Sequence, residues 1–169
     1  MKKTFLSSVV ALFIALPIQV YSQQTEIVKD PTKLYTIAIP SGWNYSGTKS
    51  KYISTLKCSE TESSAEKLTF IASKNDNNLL NAYEENKKSL SEFKAFKILQ
   101  EGDIKLYGEP CKWFMYTFTS QDGTVKMKGK YYTVMHSGSG FLILYSITEQ
   151  QYDFVQATFD KIVTTLKFK

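Results

Sequence analysis

The chain's single histidine, His136, is the side chain best suited to transfer protons near neutral pH. It directly precedes the segment SGSG, residues 137–140, so Ser137 and Ser139 lie close to it in sequence. A nucleophilic site would need one of these hydroxyls beside the imidazole, together with an acid that orients the ring. SGSG is also typical of a tight turn between two strands, which is the interpretation we favour. A hydrolase acting through His136 is therefore only a remote alternative.

Cys58 and Cys111 are the two cysteines of the chain. In an exported protein such a pair suggests one disulfide, whereas the alternative is two separate buried thiols. The sequence leaves both open, because it does not give the distance between the two Cα atoms. Together with His136 the cysteines lack the tight ligand spacing of a zinc site, so we predict neither a metal nor a cofactor.

Lys126, Lys128 and Lys130 alternate along a predicted strand and therefore share one of its faces. This row could contact an acidic partner or anionic headgroups, and we treat it as a candidate partner-binding surface. The alternative is a strand end that is kept soluble by charge, which also discourages pairing at a sheet edge. All 21 basic residues are lysine and the formal net charge is only +5. Without arginine the chain lacks the planar group that grips phosphate at two points, so we expect no nucleic-acid partner.

Residues 1–22 have the order of a secretory signal peptide. Lys2 and Lys3 precede a mostly apolar run, and Val20 and Ser22 are the small residues expected at positions −3 and −1 from a cleavage site. The run is short for a membrane span of about 20 residues, and Pro17 interrupts it. We therefore predict an exported protein, periplasmic or secreted, with no integral membrane span once the signal is removed.

Beyond the leader, the pattern predicts a flexible lead-in over residues 23–32 and a single domain over 33–169. Alternating hydrophobicity predicts a series of strands, and Pro40 with the Ser41-Gly42 turn ends the first of them. Hairpin-length connections in the second half favour antiparallel pairing. The predicted strands are 35–40, 51–58, 67–73, 96–99, 104–107, 111–120, 125–136 and 141–147.

Two helices complete the pattern. One is predicted over residues 77–92, where leucines and aromatics recur at near-helical spacing after the polar segment KNDNN. The other has a capping-box sequence, with Thr148 as N-cap and Gln151 three residues later, before an apolar stripe at helical spacing. Strands that are apolar on both faces need cover on both sides. The predicted fold class is therefore α+β: a central antiparallel β-sheet flanked by helices, an α/β/α sandwich.

Four segments together resemble the PsbP-like superfamily, which includes the extrinsic photosystem protein of thylakoid lumens, a Ran-binding nuclear protein and the DcrB-like exported bacterial proteins. They are YTIAIPSGW at 35–43, the helix that follows SKNDNN, LYGEPCKWFMYTF at 106–118 and FDKIVTTLKF at 159–168. The resemblance covers residues 33–168 and implies a central antiparallel sheet with helices on both faces. Some members carry metal sites, but the chain is short of the required His and acidic clusters, so no ligand is carried over.

Characterised members of that superfamily act mostly by binding partners. The resemblance therefore implies an exported, non-enzymatic module that binds a protein or peptide, or a scaffold of the bacterial envelope, with the partner unidentified. The alternative is a small-ligand or envelope-surface binder with an aromatic-lined groove. Tyr107, Trp113, Tyr131 and Tyr132 are candidates for such a lining, although aromatics of this kind more often form core and cross-strand pairs. We expect Trp43, at the Pro-x-x-Trp corner, to cover the core.

Overall fold

A computed structural model describes residues 24–51, 53–61, 67–74 and 78–169. The predicted signal peptide lies outside these residues, so its prediction stays untested. The described elements, in chain order, are β1 (Thr25–Lys29), β2 (Tyr35–Pro40), β3 (Asn44–Lys49), β4 (Ile53–Ser59), β5 (Leu68–Lys74), α1 (Leu79–Leu90), β6 (Lys97–Leu106), β7 (Glu109–Thr119), β8 (Lys126–His136), β9 (Ser139–Thr148), α2 (Tyr152–Thr164) and β10 (Lys167–Phe168).

Two antiparallel sheets organise these strands. The larger has seven strands in the order β3-β4-β5-β9-β8-β7-β6, and the smaller has three in the order β1-β2-β10. Two hairpins of the large sheet close with two-residue loops of positive φ, at Tyr107 and Gly108 and at Ser137 and Gly138. Positive φ at both positions is typical of the type I′ turn, whose twist matches that of the flanking strands. The prediction that SGSG forms a tight turn is thus confirmed.

The large sheet is covered on both faces. On one face, α1 packs Tyr83 against Phe114, Tyr116 and Tyr131 of strands β7 and β8. On the other face, α2 and the small sheet enclose the main core, to which β2, β4, β5, β8, β9 and α2 all contribute buried side chains. The predicted α+β sandwich is confirmed, and the small second sheet is an addition to it.

Two strand-level predictions differ from the structure, and one strand was not predicted. Residues 25–29, expected within a flexible lead-in, form strand β1 because their backbone pairs with β2 and Val28 is buried. The two short strands expected at 96–99 and 104–107 are a single strand, β6, which follows β7 throughout and absorbs one irregularity between Ile98 and Gln100. Residues 44–49, which were not assigned, form the edge strand β3.

The predicted start of α1 agrees with the structure, whereas the predicted start of α2 does not. Asn78, within the polar segment before α1, caps that helix as expected, because its Oδ1 accepts a hydrogen bond from the Asn81 backbone N–H at 2.9 Å. The prediction that Thr148 caps the second helix is wrong, because α2 begins at Tyr152 and Gln151 is its N-cap. Thr148 is instead the last residue of β9, where it pairs with Met127, so the sheet ladder overrides the local capping signal.

Neither helix in the described part of the chain has the length and apolar content that crossing a membrane requires.

Candidate functional site

A groove runs along one side of α2, between the helix and the β2 strand with its following turn. We call it the α2 groove. Its wide end is a cavity of about 410 Å³ lined mainly by Trp43, Glu60, Ile147, Phe154, Val155 and Phe159. Its narrow end is a cavity of about 220 Å³ beside Ala38, Pro40, Lys161 and Thr165. Thr158 lines both cavities, so they lie next to each other along α2.

Trp43 reaches the groove because of the turn that ends β2. The Trp43 backbone N–H donates to the Pro40 carbonyl at 3.1 Å, and Gly42 adopts a φ of 86°, which favours glycine. The indole meets the Phe159 ring edge-on, with centroids 5.8 Å apart and planes at 89°. Trp43 is half-buried and packs against the core, while the rest of its surface lines the groove.

Helix α2 supplies both the floor and an exposed side of the groove. Phe159 belongs to the apolar stripe that faces the core and is only 3% exposed. Phe154 lies off that stripe and is 84% exposed, the largest exposed fraction among the large hydrophobic side chains of the described residues. An aromatic ring left in water beside an apolar depression is a typical feature of a binding surface.

A hydrogen-bond network fixes α2 on the large sheet. The Asp160 carboxylate accepts from the Tyr132 hydroxyl at 2.6 Å, from the Tyr145 hydroxyl at 3.1 Å and from Lys130 Nζ at 2.8 Å. The hydroxyls of Tyr145 and Tyr152 are 3.3 Å apart. Burial raises the pKa of Tyr132 above its ordinary value, and the hydrogen bond to Asp160 adds to this effect. The network therefore consists of neutral tyrosines around one carboxylate that a lysine balances.

The predicted lysine row lies largely beneath α2 rather than on an open surface. Lys128 pairs with Asp153 at 3.4 Å and sits 4.3 Å from the centre of the Tyr152 ring. Lys130 pairs with Asp160, and its side chain is only 12% exposed. Lys128 and Lys130 thus both pair with carboxylates of α2, and the expectation that the row binds a partner stays a prediction. β8 lies between β7 and β9, so the row is not at a sheet edge. Of the three lysines, Lys126 at the start of the strand is the exposed one.

The structure places the two cysteines apart and unbridged. Cys58 lies on β4 and Cys111 on β7, which are four positions apart in the large sheet. Four inter-strand spacings amount to about 19 Å, far beyond the reach of a disulfide. Both are free, buried thiols, and burial raises the pKa of each to about 12. The suggested Cys58–Cys111 disulfide is therefore corrected in favour of two separate core residues.

His136 contacts residues remote from the groove. Its Nδ1 lies 2.8 Å from the Glu109 carboxylate, and its ring stacks on Phe168 with centroids 4.6 Å apart. His136 and Ser139 pair through the β8–β9 ladder, but among the described residues the imidazole makes no hydrogen bond with the hydroxyl of Ser137 or Ser139. Lys128, which pairs with the groove residue Ile147, is eight residues along β8 from His136. That separation is about 26 Å, so the histidine and the groove are independent features.

The aromatic residues that the sequence suggested for a groove lie elsewhere. Tyr131 and Tyr132 are buried, Trp113 packs against the main core, and Tyr107 is exposed at a hairpin turn. Sequence reasoning missed Phe154 and Glu60. A signal for Phe154 was present, because it does not fall on the apolar stripe of its helix. Nothing in the sequence places Glu60 beside it. Among the described residues, no three His, Cys, Asp or Glu side chains come together as metal ligands would.

No protein-family model matches the chain, and comparison with curated protein sequences finds no match either. Similar solved structures do exist. Cyanobacterial PsbP (CyanoP) from Synechocystis sp. PCC 6803 has a TM-score of 0.63 at 14% identity, covering 89% of this chain and 96% of that one. The chain has the PsbP-like fold. At this identity, the PsbP-like fold is all that the likeness establishes.

Two other structures share the PsbP-like fold. LpqN of Mycobacterium tuberculosis, which is involved in cell envelope biogenesis, has a TM-score of 0.61 at 9% identity, over 86% of this chain and 91% of LpqN. PA94 of Pseudomonas aeruginosa, a protein of unknown function, has a TM-score of 0.57 at 12% identity, over 86% and 97% of the two chains. The resemblance noted from the sequence segments is thus matched in three dimensions.

Proposed function

We propose that this PsbP-like chain is an exported, non-enzymatic module of the bacterial envelope that binds an extended segment of a protein partner in the α2 groove. The observation that carries the proposal is Phe154, 84% exposed beside an open, apolar depression. The signal-peptide pattern of residues 1–22 supports export. The PsbP-like fold shared with an envelope-biogenesis protein is compatible with the envelope location.

The shape of the groove favours an extended segment over a compact ligand. Its lining residues on α2 run from Gln151 to Thr165. At 1.5 Å per residue, this stretch is about 21 Å long, which matches about six residues of extended chain. A small molecule would occupy only the wide end and leave the narrow end unused.

The energetics of the groove favour an apolar anchor at its wide end. Covering an exposed phenylalanine side chain contributes about 1.5–3 kcal/mol, and aromatic residues beside a pocket often dominate binding energy. Trp43 and Phe154 together therefore supply the affinity, while the neighbouring Thr158 and Gln151 provide polar contacts at the rim. The groove contains no histidine or cysteine among its lining residues, and this supports a binding role over a catalytic one.

Site-specific photo-crosslinking tests the proposal. A benzoyl-phenylalanine placed at position 154 of the full-length protein in its native host should yield, on irradiation, an adduct with one protein. Mass spectrometry should map the link to a short segment of that protein. The matched control is the same probe at Leu80, which is 54% exposed on α1 at the opposite face of the sheet.

The outcomes separate the candidate functions. A defined peptide adduct at 154 and none at 80 supports the proposal. An adduct with a lipid or a small metabolite would instead favour the small-ligand alternative, whose specific support is the 410 Å³ volume of the wide end. Equal labelling at both positions, or none at either, would contradict binding through the groove.

A further inference from the structure

We propose that the wide end of the α2 groove receives a cationic side chain, lysine or arginine, from the partner segment. This inference rests on the proposed function and adds the chemistry of the residue that is recognised. It starts from Glu60, which is the only ionisable side chain among the described residues that line the wide end.

Glu60 lines the wide end with an exposed side chain. Its backbone carbonyl accepts from Asn44 Nδ2 at 3.4 Å, which ties the end of β4 to the start of β3. The side chain is exposed and takes part in none of the ion pairs among the described residues. The acids of α2 differ from it, because Asp153 and Asp160 already pair with Lys128 and Lys130. Among the described residues, Glu60 therefore has no partner of the kind that a bound cation would supply.

Aromatic rings surround the position that such a cation would take. Trp43 and Phe159 meet at 89° and form a corner, and Phe154 stands on the helix beside it. Aromatic faces attract ammonium and guanidinium groups, and tryptophan does so most strongly. The methylene stem of lysine or arginine also packs favourably on apolar surface such as Ile147 and Val155 while its charged end stays near the carboxylate.

The remaining charges of the site orient the partner segment. Free N–H groups in the first turn of α2 carry partial positive charge, which Asp153 in that turn offsets. Lys161, at the narrow end, would repel a second cation. The groove thus changes from negative at Glu60 to positive at Lys161. This polarity places the cationic residue of the segment at the wide end.

Two capped amino acids of nearly equal size test the inference. N-acetyl-lysine-N-methylamide carries the ammonium group, and N-acetyl-norleucine-N-methylamide has the same stem without it. Binding to the full mature chain would be followed through the indole N–H signals in ¹H–¹⁵N NMR spectra. The two tryptophans give two such signals, Trp43 in the groove and Trp113 outside it, and a Trp113→Phe variant assigns them.

We expect the lysine probe to shift the Trp43 signal, with a Kd about 3- to 10-fold lower than that of the norleucine probe. Glu60→Gln should reduce this preference to near unity, whereas Glu149→Gln, an exposed acid outside the groove lining, should leave it unchanged. Equal affinity for the two probes, or a preference that survives Glu60→Gln, would overturn the inference.

The two proposals fail separately. A peptide adduct at position 154 without a lysine preference would retain the binding function and remove only the cationic residue. A lysine preference without any protein adduct in cells would remove the protein partner and leave a cation site on the α2 groove.

Discussion

Lys128 and Lys130 lie two residues apart on one face of β8, yet their ion pairs have different surroundings. Lys130 is 12% exposed and its partner Asp160 is 28% exposed, whereas the partner of Lys128, Asp153, is 82% exposed. Removing one member of a buried pair leaves an uncompensated charge, but removing an exposed pair costs little. The same residue type in the same pattern therefore contributes differently to stability.

We predict that Asp160→Asn lowers the free energy of unfolding by about 2–3 kcal/mol. The substitution leaves the Lys130 ammonium group without its partner carboxylate and weakens two hydrogen bonds from tyrosine hydroxyls. Asp153→Asn, the matched control, should cost about 0.5 kcal/mol. Urea denaturation followed by tryptophan fluorescence measures both. Adding Lys130→Met to Asp160→Asn should recover part of the loss. Equal losses for the two Asn variants would show that the network does not hold α2.

At the scale of elements, the two-residue strand β10 closes the core although it is the shortest strand described. It pairs with Tyr35 and Thr36 of β2, and Phe168 is only 7% exposed. The Phe168 ring packs on His136 and on Phe141, with centroids 4.6 and 4.7 Å away. His136 thus serves as a packing surface for the end of the chain.

Phe168 and Phe154 allow a residue needed for stability to be distinguished from one proposed for binding. Phe168→Ala should destabilise the fold by about 3–4 kcal/mol, because it empties a packed site, whereas Phe154→Ala should change stability by less than about 0.5 kcal/mol. Thermal and urea unfolding measure these differences. If Phe154→Ala destabilised the protein as much as Phe168→Ala, then Phe154 would be a structural residue and the α2 groove would lose its main anchor.

The sequence predicted elements well where the local pattern and the tertiary contacts agree. The strand at 35–40, stopped by Pro40, and the Asn78 cap of α1 are both observed. The prediction failed at Thr148, where the pairing of Thr148 with Met127 in the β8–β9 ladder prevailed over a good capping sequence. It also failed for β1, whose strand pairing depends on a neighbour, β2, and not on its own polar composition.

At the scale of the whole molecule, the candidate site could be predicted only in fragments. Trp43, Glu60 and Phe154 come from a turn, a strand end and a helix, and only the stacking of α2 on the sheet brings them together. The number of residues between Cys58 and Cys111 also does not indicate their distance in space, because the order of strands in the sheet sets that distance. Alternation identifies which face a residue occupies, but the order of strands decides which residues meet.

The core is rich in tyrosine, and this composition should limit stability at high pH. Burial raises the pKa of seven core tyrosines above the ordinary value of 10.0, and raises that of both cysteines from 9.0 to about 12. The seven are Tyr35, Tyr83, Tyr116, Tyr131, Tyr132, Tyr145 and Tyr152, of which Tyr116 and Tyr152 reach about 12. In the folded state these groups stay neutral, whereas in the unfolded chain they ionise at their ordinary pKa values.

Because the folded-state pKa values are the higher ones, the stability that these neutral groups contribute is present below about pH 9 and is lost as the pH rises toward 12. We therefore predict that the urea midpoint is steady from about pH 7 to 9 and falls steeply between about pH 9 and 11. Tyr116→Phe should make that fall shallower, since one ionising group is removed from the unfolded chain. Tyr45→Phe, at a site 55% exposed, should leave the slope unchanged. A urea midpoint that stayed constant to pH 11 would mean that water reaches the core hydroxyls. The description of a tightly packed interior beneath α2 would then be wrong.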